Sequence, residues 1–387
     1  MKMLIKNVSI ITPYEIKRNG SLSIEDGIIS NILDGDASEE YYDKIIDGEN
    51  EYLAPGFIDI HNHGNFGHDV MEATFESLIS MADFHMKNGV TSFLATPMTE
   101  SLDKIESAIK NVRKYIEKEK KAPKVRSQVL GIYLEGPYFS MERKGAQPPQ
   151  YIKNPNVEEI KNLIELSNDN IKVVALAPEL KGAKEAIKYL KNKGITVSAG
   201  HTDGKYDEVK YGIELGISQA THLYNGMRPF SHREPGVIGA VLTDERVSCE
   251  IICDGIHLHP AAMKLAVKAK GKDGIILVSD AMMATGLKDG EYKLGGQNVF
   301  VKKGAARLAD GTLAGSTLTL NRAVWNMVHM VGVSLEDAVR MASLNPAKSI
   351  GENDRKGSIE IGKDADLIIF NDDLNILKVI IHGLSIE

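Results

Sequence analysis

Between residues 53 and 280, short apolar runs alternate with amphipathic stretches of helical period, and few folds can absorb that rhythm. The runs are Phe57–Ile60, Ser92–Ala95, Val129–Leu134, Val173–Leu176, Ile195–Ala199, Gln219–His222, Cys249–Cys253 and Ile275–Val278. Helical patterns fall between them near 74–88, 101–119, 157–167, 182–193, 205–215 and 260–270. Thr74 and Asn156 precede acidic first turns, as N-caps do, and Gly89 and Gly194 sit where helices should stop. The sixth connection, 225–246, is rich in Pro and Gly and reads as irregular. Eight strands in alternation with helical stretches predict an α/β chain built as a (β/α)8 barrel.

The two ends of the chain follow a different pattern. Residues 3–12, 21–24 and 28–33 read as short strands, with Asp26-Gly27 as a hairpin turn. Beyond the barrel come helical segments at 317–331 and 335–343. A β signature then returns at 357–362, 365–370 and 378–381. Gly357-x4-Gly362-Lys363 approaches a phosphate-binding loop, but Asp364 stands where Ser or Thr is required, so it reads as a turn. Neither end closes on itself. The prediction is one β-sandwich domain built from residues 1–52 and 350–387, beside a barrel domain of residues 53–349. Internal repeats and low-complexity segments are absent from the sequence.

Composition narrows the partners. The chain has 387 residues, long enough for one large barrel and a small accessory module. No apolar run approaches the ~20 residues of a membrane span. The first residues, Met1-Lys2-Met3-Leu4-Ile5-Lys6, are broken by charge and do not read as a signal peptide. Only Cys249 and Cys253 are present, on one predicted strand, where a disulfide between them is unfavourable. A reducing, cytoplasmic setting is expected. A net charge of −7 weighs against nucleic acid as partner, and no membrane partner is expected.

In such a barrel, chemistry is placed at the C-terminal ends of the strands. The first run ends at His61-Asn62-His63. Because strand side chains alternate, both imidazoles point to one side and can reach one ion. The third run ends at Glu135, the fifth at His201, the sixth at His222 and the eighth at Asp280. Six metal-competent side chains thus open onto one mouth. A polar residue capping one strand is commonplace, but six converging residues are not. Imidazole with carboxylate suits zinc or an iron-like divalent ion, whereas magnesium and calcium favour oxygen. His257, after the seventh run, should also face the mouth, and Arg233 lies in the irregular connection. His68, His85, His259, His329 and His382 carry no distinctive pattern.

These motifs together resemble the N-acetylglucosamine-6-phosphate deacetylases of the amidohydrolase superfamily. The resemblance rests on Pro55-Gly-Phe-Ile-Asp-Ile-His-Asn-His63, Leu134-Glu-Gly-Pro-Tyr138, Gly200-His-Thr202, Thr221-His-Leu-Tyr-Asn-Gly-Met227, Asp254-Gly-Ile-His257, Val278-Ser-Asp-Ala-Met282 and Leu313-Ala-Gly-Ser316, in that order, with the tail at 357–367. It implies Glu135, His201 and His222 as ligands of a principal metal and His61 and His63 as ligands of a second ion. One or two divalent metals per subunit are then expected. It implies Asp280 as the catalytic acid/base, and Ala146, Gln147, Asn225, Gly226, Arg233, Asp254, Gly255, Ile256, His257, Leu313, Ala314 and Gly315 as substrate contacts. Gln147 stands where many members carry His; its amide can hydrogen-bond a sugar hydroxyl but carries no charge. The implied reaction is deacetylation of N-acetylglucosamine 6-phosphate in amino-sugar catabolism, by a homodimer whose Arg233 reaches the neighbouring site. The rivals are a deacetylase for another hexosamine 6-phosphate, such as the galactosamine epimer, an amidohydrolase acting on a cyclic amide, and a non-catalytic relative. Retention of all five ligands and Asp280 disfavours the last.

Overall fold

The computed structural model describes residues 1–35, 38–121 and 124–385. Eight parallel strands form one sheet in strict chain order: Phe57–Asp59, Val90–Ala95, Gln128–Glu135, Ile171–Leu176, Thr196–Ala199, Ile217–Ala220, Ser248–Ile252 and Ile275–Val278. They are rich in apolar side chains on both faces because both faces are covered, with Asp59, Gln219 and Glu250 buried among them. In Val90–Ala95 every residue is buried. Each of the first five strands is followed by one helix: Phe75–Lys87, Leu102–Lys121, Val157–Ser167, Ala183–Asn192 and Tyr206–Leu215. The helix Leu102–Lys121 buries Ile105, Ala108, Ile109, Val112, Tyr115 and Ile116, the three-and-four spacing of one apolar stripe. The expected caps are in place, with Thr74 Oγ1 accepting from the Ser77 amide at 3.1 Å and Asn156 Oδ1 from the Glu159 amide at 3.1 Å.

Among the described residues no ladder pairs the first of these strands with the eighth. Just beyond their ends, however, the two segments meet. Asp280 N–H donates to the His61 carbonyl (2.9 Å), His63 N–H donates to the Ala281 carbonyl (2.8 Å), and Asn62 and Ala281 form a parallel bridge. That contact sets the His61–His63 segment directly beside Asp280. The architecture is of the TIM-barrel type with a second domain.

Both chain ends enter the second sheet. Lys2–Ile11 pairs antiparallel with Ile16–Glu25, which pairs with Ile28–Asp34. On its other side Lys2–Ile11 runs parallel to Lys44–Asp47 and Tyr52–Pro55. Leu367–Phe370 docks on Tyr52–Pro55 and carries Ile376–Ile381 and Leu384–Ser385. All eight strands are hydrogen-bonded as one connected sheet around a small core that includes Met3, Ile5, Leu22, Ile369 and Ile380. Asp26 and Gly27 both have positive φ (50° and 84°), as a two-residue hairpin turn requires.

Two sequence expectations need correction, and one element was not expected. The sixth connection is not wholly irregular, for it contains the helix Gly236–Thr243. Gly236, Val237, Ile238, Gly239, Ala240 and Val241 are all buried, so the segment lacks an amphipathic period, and burial overrides the weak propensity of its two glycines. Residues 357–362 form turns, not a strand. Gly357 and Gly362 both adopt positive φ (86° and 93°), which breaks extended backbone, and Gly362 N–H donates to the Ile29 carbonyl at 2.9 Å. A three-stranded sheet, Gly290–Leu294, Gln297–Lys302 and Ala305–Arg307, follows the eighth barrel strand and was not foreseen. Leu294, Val299 and Val301 pack there with Met98, Met282 and Ala314.

Beyond that sheet run the helix Leu320–Asn326, continuing as a π-helical Met327–Val331, then Leu335–Ala342 and Leu344–Ser349. Cys249 and Cys253 are free and buried, and burial pushes both thiols up to about 12. No helix among the described residues is long and apolar enough to cross a membrane.

Candidate metal centre and active site

The six side chains at the strand ends converge. Glu135, His201 and His222 form one group of potential ligands and His61, His63 and Asp280 another, the ligand atoms within each group lying within 4.8 Å of one another. Glu135 stands between the two. Its Oε1 lies 3.2 Å from His201 Nε2 and 3.1 Å from His222 Nε2, and its Oε2 lies 3.2 Å from His63 Nε2. Asp280 Oδ1 is 3.3 Å from His63 Nε2 and 3.7 Å from His61 Nε2. All six residues are buried. His201, His222 and Asp280 have positive φ (45°, 28° and 48°), a strained backbone of the kind found at functional sites.

The tautomers show that this arrangement fits a cation. His63, His201 and His222 each place Nδ1 against a backbone carbonyl, of Thr96 (3.0 Å), Arg143 (2.9 Å) and Asn225 (3.1 Å) respectively. A carbonyl can only accept, so each Nδ1 carries the proton and each neutral ring turns a bare Nε2 into the site. Two of those nitrogens, on His201 and His222, are only 3.2 Å apart. His61 Nε2 is buried without a hydrogen-bond partner. Bare nitrogens and carboxylate oxygens packed this closely repel one another unless positive charge lies between them.

With protein atoms alone, protons supply that charge. Burial presses the His61 imidazole downward, but the carboxylates of Glu250, Glu135 and Asp280 lift it to about 9. His63 rises well above its ordinary range in the same way, through Asp280 and Glu135 outweighing burial. Burial raises a carboxyl, yet the surrounding imidazoles hold Glu135 well below the usual range and Asp280 below it too. A divalent ion bound here would displace those protons.

Several residues that sequence reasoning missed orient the centre, Glu250 foremost among them. Its only signal was a carboxylate in the middle of an apolar run. Fully buried, it meets His61 Nδ1 through Oε2 at 2.8 Å. Asn62, pointing opposite to its two histidine neighbours, donates to the Leu94 carbonyl (3.0 Å) and accepts from His85 Nε2 (3.1 Å). Burial pushes His85 down to about 3, which keeps it neutral. Asp59 accepts from Ser279 Oγ at 2.5 Å and so ties the first strand to the residue before Asp280.

The expected substrate contacts divide into two sets. Ala146, Gln147, Asn225, Gly226, His257, Leu313 and Gly315 line one cavity together with His63, Glu135, His201, His222 and Asp280. A Cβ on Gly226 would stand 2.9 Å from His201 Nδ1, so only glycine lets that loop approach. Gln147 has both amide ends engaged by protein: Nε2 donates to Glu135 Oε2 (2.8 Å) and Oε1 accepts from the Thr99 amide (3.1 Å). Asp254 lies behind His257 and binds its Nδ1 at 2.7 Å. Gly255 and Ile256 are exposed, Ala314 packs into the core beneath the three-stranded sheet, and none of the three lines the cavity. Arg233 is exposed and also lies off the cavity.

Comparison with known proteins places this geometry among relatives. Residues 52–385 match the family model described as Amidohydrolase family. The chain is 43% identical to the N-acetylglucosamine-6-phosphate deacetylase of Bacillus subtilis (strain 168) over 381 residues, covering 98% of this chain and 96% of that one. It is 39% identical to the N-acetylgalactosamine-6-phosphate deacetylase of Escherichia coli O157:H7 over 362 residues, covering 94% and 93%. Among solved structures it resembles an N-acetyl-D-glucosamine-6-phosphate deacetylase mutant from Mycobacterium smegmatis in complex with N-acetyl-D-glucosamine-6-phosphate. The TM-score is 0.91 at 31% identity, over 99% of both chains.

Proposed function

The chain belongs to the amidohydrolase family, among its N-acetylglucosamine-6-phosphate deacetylases, and from that membership we propose that it hydrolyses N-acetylglucosamine 6-phosphate to glucosamine 6-phosphate and acetate. The observation that carries the reading is the meeting of two ligand groups around Glu135 on the wall of one cavity, in a chain matched to such deacetylases over nearly its whole length. It is a metal-dependent hydrolase. Zinc or iron suits the donor set, which mixes imidazole with carboxylate.

Glu135, His201 and His222 would hold the principal ion, and His61 and His63 a second one beside it, with Glu135 facing both. A bound divalent ion would supply positive charge that polarises the acetyl carbonyl and acidifies water. Asp280, a carboxylate on the cavity wall, accepts the proton from the attacking water and returns it to the departing nitrogen. The amide C–N bond breaks as the new C–O bond forms, releasing acetate and the free amine. Asp254 fixes His257 through Nδ1, leaving its other nitrogen for the phosphorylated sugar. Asn225, Gly226, Ala146 and Leu313 shape the sugar pocket. Gln147 acts first on Glu135, by donating to its Oε2.

Turnover of N-acetylglucosamine 6-phosphate by metal-loaded protein, with the unphosphorylated sugar as control, tests the assignment. Equal amounts of acetate and primary amine are expected; a loaded protein that leaves this substrate intact would overturn it. The 39% identity to a galactosamine-epimer deacetylase favours one second reading, so that epimer belongs in the same assay. Higher kcat/KM for the galactosamine compound would reassign the substrate.

The number of ions gives a separate expected result. Protein reconstituted with excess zinc should approach two ions per chain by elemental analysis, since His61 and His63 add a second ligand set beside that of Glu135, His201 and His222. A firm plateau at one would remove the second ion and leave the hydrolytic reading standing.

We read Arg233 as the phosphate ligand of the neighbouring subunit's site in a homodimer. It is exposed, off its own chain's cavity, in Pro229-Phe230-Ser231-His232-Arg233-Glu234-Pro235-Gly236, and Phe230 beside it is 58% exposed. A charge-assisted hydrogen bond is worth ~1.5–3 kcal/mol. Arg233→Ala should therefore weaken binding of the phosphorylated substrate by roughly 10–150-fold and barely touch the unphosphorylated sugar. Mixing this variant with Asp280→Asn should restore activity, because one site of the heterodimer then has both groups intact. Subunit exchange confirmed by mass, with no return of activity, would reject the shared site. We further read the eight-stranded parallel sheet as a closed barrel within 53–349, the ends 1–52 and 350–387 as its partner domain (residues 36–37, 122–123 and 386–387 lie outside those described), and the cytoplasm as its location.

A further inference from the structure

We propose that Glu250 is the positioning residue that decides whether the His61–His63 side of the centre can hold an ion. The inference rests on the two-ion reading above.

Four histidines turn Nε2 into the site. Three have their Nδ1 fixed by backbone carbonyls, which no substitution removes. Only His61 depends on a side chain, Glu250, for that contact, at 2.8 Å. Glu250 is itself tightly held. Oε2 also accepts from the His222 backbone amide at 3.1 Å, and Oε1 accepts from Gln219 Nε2 at 2.5 Å. Gln219 is oriented in turn because its Oε1 accepts from Ser349 Oγ. A chain of hydrogen bonds thus runs from the partly buried end of the helix Leu344–Ser349, through two buried strand residues, to one imidazole.

The directions matter more than the distances. The amides of His222 and Gln219 both donate, so Glu250 presents only acceptor oxygens to His61. The proton between them sits on Nδ1, and Nε2 is left bare, aimed between Glu135 (3.6 Å) and Asp280 (3.7 Å). The Tyr133 ring, 4.6 Å from the His61 ring, packs against it. Among the described residues, Glu250 is the group that holds His61 Nδ1 and so fixes that tautomer. Partners behind metal-ligating histidines commonly govern affinity by 10–100-fold.

The test is zinc titration of the full-length protein against a competing chelator, resolving the two ions. In Glu250→Leu the tighter ion should stay within about threefold of wild type, while the weaker one loses about 10–100-fold in affinity. Glu250→Gln should recover most of that loss. Its amide oxygen can still accept from His61, and Gln219 can turn its own amide over against the Ser349 hydroxyl. If Glu250→Leu does not fold, Gln219→Met carries the test: it leaves the carboxylate in place but releases it, and should weaken the second ion alone. A folded variant that binds both ions as wild type does, or loses both equally, overturns the inference and leaves the two-ion reading intact. So does a Gln variant as impaired as Leu. A wild-type plateau at one ion per chain overturns both.

Discussion

Asp280→Asn should lower kcat by about 10²–10⁴-fold, the range a positioned proton donor and acceptor contributes. Asparagine is the informative choice for two reasons. It matches the shape of aspartate, and it tolerates the positive φ of 48° found at this position better than alanine does. What it lacks is a site that can take up a proton. The backbone contacts that seat the residue, Asp280 N–H to the His61 carbonyl and Ser316 N–H to the Asp280 carbonyl, do not involve the side chain and should persist. An ion bound by Glu135, His201 and His222, as proposed above, should therefore be retained. KM should change little, so kcat and kcat/KM fall together, the signature of a group acting in the transition state. Steady-state kinetics with elemental analysis of the same preparation checks this. Near-normal turnover would remove Asp280 from the proton path.

Glu135→Gln should cost more than about 100-fold in kcat/KM, since even partners behind a ligand are worth 10–100-fold. Glu135 faces four imidazoles: His201 and His222 within 3.2 Å of Oε1, His61 at 3.6 Å, and His63 at 3.2 Å from Oε2. An amide of the same size replaces a delocalised negative charge with one acceptor and one donor. The donor then competes for a bare imidazole nitrogen that an ion needs. Ion content after dialysis against a chelator should fall, and activity with it. The ion-free protein should suffer too, because the carboxylate balances the raised imidazoles of His61 and His63. Removing one member of such a buried set costs about 3–5 kcal/mol, readable as a lower thermal midpoint of ion-free protein. Full ion content with wild-type turnover would show that Glu135 is no ligand.

Much of this protein was legible without coordinates, and the reasons are local. A buried parallel strand must be apolar on both faces, so the eight runs stood out. A helix lying on them must show a three-and-four stripe, as Leu102–Lys121 does. Polar residues ending such runs have one place to go in a barrel, and so His61, His63, Glu135, His201, His222 and Asp280 could be named together. What lacks a local period could not be read. The helix Gly236–Thr243 is apolar all round and glycine-bearing, and only burial makes it helical. The three-stranded sheet at 290–307 packs on Met98, which the chain supplies from a distant position, as well as on nearby Met282. Glu250 was hidden for the same reason. A lone carboxylate in an apolar run acquires a purpose only when another strand brings His61 to within 2.8 Å. Residue types and periods determined which groups could do chemistry; the tertiary structure decided which nitrogen of each histidine faces the site, because that depends on acceptors supplied across the barrel.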